Sequence, residues 1–306
     1  ADLKSTPAEA KAEYDVAIIG IGPGGASAAA SAQKLGLRYV AIEQDQVLAS
    51  IENYPKSKYI YFKPDTKDWE GGLPDLGAGD QREKILEVWN KSLSGNGVRI
   101  NEYESCKALD KADDGNYFVI KTERTADKSQ HVYNARRVVL AIGLRGAPNK
   151  LRLPNEDMLI RVAGREEPKV LYSLSNPSDF RGRHIVVVGG GNVAVEAAVD
   201  LVANRKGNEI TPRSPAEMNN VILLVRTYLA PTVKFGNKVQ LYQCFDNGIV
   251  DLRFGVGIKE MRWNELVLED VRTGKIIETV PNDYVFALIG GERPDRFLES
   301  IGISIA

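Results

Sequence analysis

The sequence predicts an α/β chain with two strand–glycine–helix units of the nucleotide-binding kind. Three observations carry that prediction. Strand-like and helix-like segments alternate along 306 residues, the pattern that lays helices over parallel sheets. An apolar strand runs into glycines and then a helix at Asp15–Gly36, DVAIIGIGPGGASAAASAQKLG. The same order returns at His184–Leu201, HIVVVGGGNVAVEAAVDL.

Along the chain, Val16–Gly20 reads as a short apolar strand and Ala26–Lys34 as an alanine-carried helix ending near Gly36. Tyr39–Glu43 is the next strand. From Ile51 to Asp80 the chain is rich in Tyr, Pro and Lys and reads as one long loop, a length that favours a functional role. Arg82–Leu93 reads as an amphipathic helix with Ile85, Leu86, Val88 and Trp89 on its apolar face. A β-rich stretch follows from Val98, with Asp114-Gly115 as a hairpin turn between alternating runs. Gly143–Asp179 is rich in Pro, Arg and Asn and reads as an inter-domain connection. Beyond the second motif, Asn204–Asn220 reads as an exposed loop and VILLVR as a strand. ELVLEDVRTGKIIETVP then reads as a hairpin turning at Thr273-Gly274.

Composition narrows the function. With 43% hydrophobic and 26% charged residues, the chain has ample material for about two cored domains. A formal net charge of -1 offers no global field for nucleic acid or an anionic membrane. No apolar run reaches about 18 residues, so no membrane span is expected. Residues 1–13 are polar and charged without an apolar centre. They read as a flexible lead-in rather than a secretion signal, and a first residue of Ala suggests processing upstream. The two cysteines, Cys106 and Cys244, form no CxxC. That excludes a disulfide framework or a four-cysteine metal site within this chain and fits a reducing cytoplasm. Each reads as a small buried hydrophobe. The two histidines, His131 and His184, leave little for a metal site or a His-based triad; His184 reads as structural and His131 as an exposed strand residue.

The glycine motifs carry the chemistry. In Gly20-x-Gly22-x-x-Gly25, with Pro23 and Gly24 between, the first glycine permits a tight turn. The second lets backbone approach a pyrophosphate, and the third lets helix and strand pack closely. The helix N-terminus adds free N–H groups. Glu43, followed by Gln44, ends the next strand, where an acid accepts hydrogen bonds from a ribose hydroxyl. The plain alternative is a glycine turn that binds nothing. In Gly189-x-Gly191-x-x-Ala194, alanine holds the third place, as is common where a nicotinamide nucleotide binds. Asn192 and Val193 open the helix, and their backbone amides should face phosphate. The strand that follows ends in Arg226, not an acid. A guanidinium there pairs with a 2′-phosphate and favours NADP over NAD, unless it is simply a solvated strand end. The expected architecture is therefore two Rossmann-like three-layer domains, with FAD on the first and NAD(P)H on the second.

The paired motifs resemble the two-dinucleotide-binding-domain flavoproteins of the thioredoxin-reductase-like branch. ARRVVLAIG (Ala135–Gly143) resembles the strand that links the FAD domain to the NADPH domain. VFALIGGERPD (Val285–Asp295) resembles the element that returns to the FAD domain. The segment VLASIENYPKSKYIYFKP, with WEGGLPD after it, is similar to a flavin-side loop of bacillithiol-disulfide-reductase-like proteins. The resemblance implies a FAD domain at 14–150 and 284–306 with a NAD(P)H domain inserted at 151–283. It adds Tyr54, Gly143 and Gly290 to the cofactor-binding positions, puts Glu196 near the nicotinamide, and implies a homodimer. Three departures matter. No CxxC is present, so thioredoxin-type dithiol exchange is not expected. Gly24 stands where the bacillithiol-type proteins carry a cysteine. The family's C-terminal Gly-Asp element, expected beyond Ala306, is missing, which reads as truncation or a degenerate flavin site. The expected function is an NAD(P)H-dependent FAD oxidoreductase handing electrons to an external acceptor, such as a ferredoxin-like or iron–sulfur protein. The alternatives are a small-molecule disulfide reductase using one cysteine and a non-catalytic nucleotide-binding module.

Overall fold

The computed structural model describes residues 12–62, 71–113, 115–143, 148–206 and 209–305. Residues 1–11 of the expected lead-in and Asp114 of the expected turn lie outside the described residues. The chain divides into two compact units. One comprises Ala1–Gly146 with Arg293–Ala306, and the other, Ala147–Glu292, is inserted between those stretches.

In the first unit, strand β1 (Tyr14–Ile19) leads to helix α1 (Pro23–Lys34) and strand β2 (Tyr39–Ile42). Then come α2 (Ala49–Glu52), β3 (Tyr59–Tyr61), β4 (Gly79–Gln81) and α3 (Arg82–Gly95). Strands β5 (Glu104–Lys111), β6 (Phe118–Arg124) and β7 (Gln130–Leu140) follow. The main sheet has order β2-β1-β7-β6-β5. Its first three strands run parallel, and β7, β6 and β5 form an antiparallel meander. Alternation along β1 sends Val16 and Ile18 to one face, against Ala26, Ala29, Ile85 and Trp89. It sends Ala17 and Ile19 to the other, against Leu109, Ile120 and Ala135. Covered on both faces, β1 is unbroken apolar sequence from Val16 to Ile19. Helix α1 begins at Pro23, ahead of the expected Ala26. Proline suits the first helical position because its fixed φ is already helical and its missing N–H would have no partner there.

The second unit opens with β8 (Leu159–Val162), β9 (Arg165–Pro168) and β10 (Val170–Leu171). Its nucleotide-type unit is β11 (His184–Val188) and α4 (Asn192–Asp200), then β12 (Ala203–Lys206), β13 (Glu209–Pro212) and β14 (Asn220–Val225). After α5 (Phe235–Asp246) come β15 (Val250–Phe254), β16 (Val256–Met261), β17 (Glu265–Asp270), β18 (Ile276–Pro281) and β19 (Tyr284–Ala287). Helix α6 (Asp295–Ser300) belongs to the first unit. The parallel sheet has order β10-β19-β11-β14-β15. One face packs Ile185, Val187 and Leu223 against Ala194, Ala198 and Leu241 of the helices. The other packs Val186, Val188 and Leu224 against Ile258, Leu266 and Leu268 of the antiparallel β16-β17-β18 sheet. Lys169 is wholly buried here. Its ammonium donates to the carbonyls of Trp263 (2.9 Å) and Asn282 (2.8 Å), and burial pulls its pKa down to about 8.

Four expectations are corrected. Gly143–Asp179 is not a bare connection: from Pro148 onward it supplies a β8-β9 hairpin and an edge strand, because Ile160, Val170 and Leu174 are buried. Asn204–Asn220, expected as a loop, is one only from Arg213 on; its first part belongs to a β12-β13 hairpin. Buried Arg213 fastens it by donating to the carbonyls of Asp200 and Phe180. The return to the first unit comes at Arg293, not at residue 284, because β19 pairs with β11 inside the second sheet. His131 is half-buried and stacked on Tyr133 rather than exposed.

Candidate dinucleotide cradles

Both cradles arise where a buried strand must turn sharply into a helix. Gly20 holds φ +87°, a left-handed conformation that favours glycine. A Cβ on it would lie 2.7 Å from the Ala141 carbonyl oxygen, and one on Gly25 would lie 1.8 Å from the Gly20 oxygen. Neither position admits a side chain. Ala26 N–H already bonds to the Gly22 carbonyl (2.9 Å), leaving the Gly24 and Gly25 amides at the open helix end. Pro23 occupies the first turn, and Gly24 is exposed with nothing within 4 Å of the place a Cβ would take.

Glu43 is only 8% exposed. Its carboxylate accepts from the Ile21 N–H (2.5 Å) and the Asp45 N–H (3.0 Å), tying the end of β2 under the glycine loop. A carboxylate offers about four lone-pair sites, so two bonds leave capacity for a ribose hydroxyl. Gln44, beside it, is exposed. The next segment is docked on the same loop: Leu48, fully buried with φ +59°, donates its N–H to the Ile21 carbonyl (2.9 Å). Such a conformation costs a non-glycine residue about 1 kcal/mol, so the surrounding packing must hold it. Tyr54 follows α2, partly exposed under the Lys58 ammonium at 4.9 Å. Gly72 presses on α1 so closely that a Cβ would lie 2.4 Å from the Ser27 carbonyl oxygen. Gly143, at φ +74°, lies just past Ala141.

The second cradle repeats this geometry. Gly189 holds φ +148°, and a Cβ there would lie 2.5 Å from the Leu288 oxygen, as one on Gly20 would meet Ala141. Leu288 donates to the Val188 carbonyl (2.9 Å), just as Ala141 donates to Ile19 (2.8 Å). The element around Gly290 therefore lines the second glycine loop, contrary to the expected return to the first domain. Gly290 has φ +86° and its carbonyl accepts from Asn149 (3.0 Å). Gly191 is extended with nothing within 4 Å of a Cβ, and Ala194 is buried against Gly189. Val193 is exposed at the helix start. Arg226 is exposed at the end of β14, and its guanidinium has no ion pair among the described residues.

Side-chain roles absent from the motif reading gather around Asn192. Its amide nitrogen donates to the Thr232 carbonyl (2.9 Å). Its amide oxygen accepts from the Lys234 N–H (2.9 Å) and the Asn237 side chain (2.9 Å). Asn237 also donates to Glu196 (2.9 Å), which places Glu196 in a bonded network. The middle glycine of the run, Gly190, was the one available sequence signal: a Cβ there would meet the Tyr228 oxygen at 3.1 Å, and its carbonyl accepts from Ala230 (2.8 Å).

Both thiols are withdrawn from solvent to different degrees. Cys106 on β5 is half-buried and Cys244 on α5 fully buried, and burial pushes each up to about 11. No group of three or more His, Cys, Asp or Glu among the described residues could hold a metal. No helix among them is long and apolar enough to cross a membrane.

Two glycine cradles, one in a domain inserted into the other, define a thioredoxin-reductase-like two-domain flavoprotein. Residues 17–306 match the pyridine nucleotide-disulphide oxidoreductase family, and the chain belongs to it. It is 28% identical over 291 residues to bacilliredoxin reductase Bdr of Bacillus subtilis, covering 94% of this chain and 80% of that one. It is 26% identical over 298 residues to a ferredoxin--NADP reductase of Ignicoccus hospitalis, covering 95% and 82%. Among solved structures, bacillithiol disulfide reductase Bdr from Bacillus cereus superposes with TM-score 0.75 at 26% identity, covering 96% of this chain and 82% of that one. The chain is thus an oxidoreductase of a family that works with a flavin and a nicotinamide nucleotide.

Proposed function

We propose that the chain is an NADPH-dependent FAD oxidoreductase whose electrons leave for an external redox protein rather than a disulfide. The state of the thiols carries this reading. A thiol with a pKa of about 11 is thiolate in only about one molecule in 10⁴ at pH 7, and thiolate is the attacking species. Gly24 stands where the bacillithiol-type proteins carry their cysteine. Relatives of both kinds exist: one is named a bacilliredoxin reductase, and several are named ferredoxin--NADP reductases. The thiol chemistry favours the second kind.

The residues fit both nucleotides. Gly20, Gly22 and Gly25 give backbone access to a pyrophosphate, with Glu43 beside them for a ribose of FAD. Gly189, Gly191 and Ala194 do the same for NADPH, with Arg226, which has no ion pair among the described residues, for its 2′-phosphate. When bound, FAD supplies the acceptance of two electrons together and their release one at a time. The chain's own groups bind and orient; none of them has to carry a proton. Anaerobic spectroscopy on the FAD-loaded chain tests the reading. Flavin bands should bleach with NADPH, recover on adding a ferredoxin, and stay bleached with a low-molecular-weight disulfide. Cys106→Ser and Cys244→Ser should change none of this. Recovery with the disulfide, lost in either variant, would establish the disulfide reductase instead.

A further inference from the structure

We infer that Asn192 is a positioning residue for cofactor choice: its side chain latches the segment 226–234 that carries the 2′-phosphate arm. This rests on reading the second cradle as an NADP site. Segment 226–234 leaves β14 with Arg226, passes over Gly190 and ends at the N-terminus of α5. It is fastened at two places. Ala230 N–H bonds to the Gly190 carbonyl (2.8 Å), which fixes the near side. The Asn192 side chain fixes the far side with one bond given to Thr232 and one taken from the Lys234 N–H. Asn237, held in turn by Glu196, clamps the Asn192 amide so that its oxygen faces α5 and its nitrogen faces Thr232.

Within that collar, Arg226 and Tyr228 are exposed, and neither side chain has a bonded partner among the described residues. A long side chain without a partner is placed only by its backbone. The 5′-phosphate side of the site is built differently, from the backbone amides of Asn192, Val193 and Ala194, whose direction is set by the helix. The two halves of nucleotide recognition therefore depend on different structure. The Asn192 side chain supports the 2′-phosphate half and leaves the other to the helix.

The test is calorimetric titration of the FAD-loaded chain with adenosine 2′,5′-bisphosphate and with 5′-AMP. The readout is the ratio of the two affinities. Arg226→Ala should bring the ratio close to one. Asn192→Ala, which removes two backbone-anchoring bonds, should lower it about tenfold while 5′-AMP affinity changes less than about twofold. Asn192→Asp keeps both accepted bonds but loses the one given to Thr232, and its added charge opposes the bisphosphate more than 5′-AMP, so its ratio should also stay below that of the wild type. Asn237→Ala, remote from the glycines, should lower the ratio in the same direction. A ratio unchanged in Asn192→Ala, or equal weakening of both ligands, overturns the latch while the site reading stands. A wild-type chain that binds both ligands alike overturns the Arg226 reading, and one that binds neither overturns the cradle; in each case the latch falls with it.

Discussion

Single glycines in these cradles do three different things, and methyl substitution separates them. A Cβ at Gly25 would sit 1.8 Å from a backbone oxygen that cannot move without unmaking the turn. Gly25→Ala should therefore cost more than about 3 kcal/mol and abolish FAD uptake. Gly24 lies in a helix with nothing near a Cβ, so Gly24→Ala should raise stability by about 0.5–1 kcal/mol. Gly191 is open and extended in this structure, so Gly191→Ala should melt like wild type yet bind NADP weakly, the methyl filling the space a pyrophosphate needs. Thermal melts with nucleotide titrations check all three; a Gly191→Ala chain that binds NADP normally would remove Gly191 from the site. These glycines were legible in the sequence because the constraint is local and steric. Asn192 was legible only as a helix start, since the groups its side chain reaches lie 40 residues on.

Whole elements were read well where one periodicity dominated. The apolar runs of β1, β11 and β14 and the stripe of α3 stand out because each face meets one environment. Helix α5 was not read, for its buried side is only Gln240, Leu241 and Cys244 while Phe235, Tyr242 and Phe245 face outward. The β8-β9 and β12-β13 hairpins were hidden by Pro, Arg and Glu, because each buries few apolar side chains. Lys169, between β9 and β10, is the least legible residue of all: a lysine wholly buried to brace two turns of the β16-β17-β18 side. Its titration makes that placement testable. The folded-state pKa of about 8 lies below the ordinary 10.5. Below pH 8 both states hold the proton and the burial penalty is fully present. Between pH 8 and 10.5 the folded state sheds the proton first, so stability rises with pH. From about pH 9 the buried thiols, and from about pH 10 Tyr133 and Tyr284, push the other way, because their pKa values are raised. The clean window is pH 8–9. There the wild type should gain about 1 kcal/mol relative to Lys169→Met in urea unfolding. A constant difference across that window would mean that Lys169 stays charged in the folded chain.

At the scale of the molecule, the doubled motif announced two domains, and the insertion of one in the other was implied by the family resemblance. The point of return was misplaced because VFALIGGERPD repeats the pattern of ARRVVLAIG, and each copy serves the glycine loop nearest it: Ala141 sits over Gly20 and Leu288 over Gly189. Each unit has its own apolar core on both faces of its own main sheet. Each should therefore unfold as its own cooperative block, and each should answer to its own nucleotide. A ligand present at about 100 times its Kd adds about 2.7 kcal/mol to the state that binds it and nothing to a unit it does not touch. Calorimetry should then resolve two transitions, one moved upward by FAD and the other by NADP. One transition that rises equally with either nucleotide would show that the two cores unfold as a single block and that the division into independent cradles does not extend to their stability.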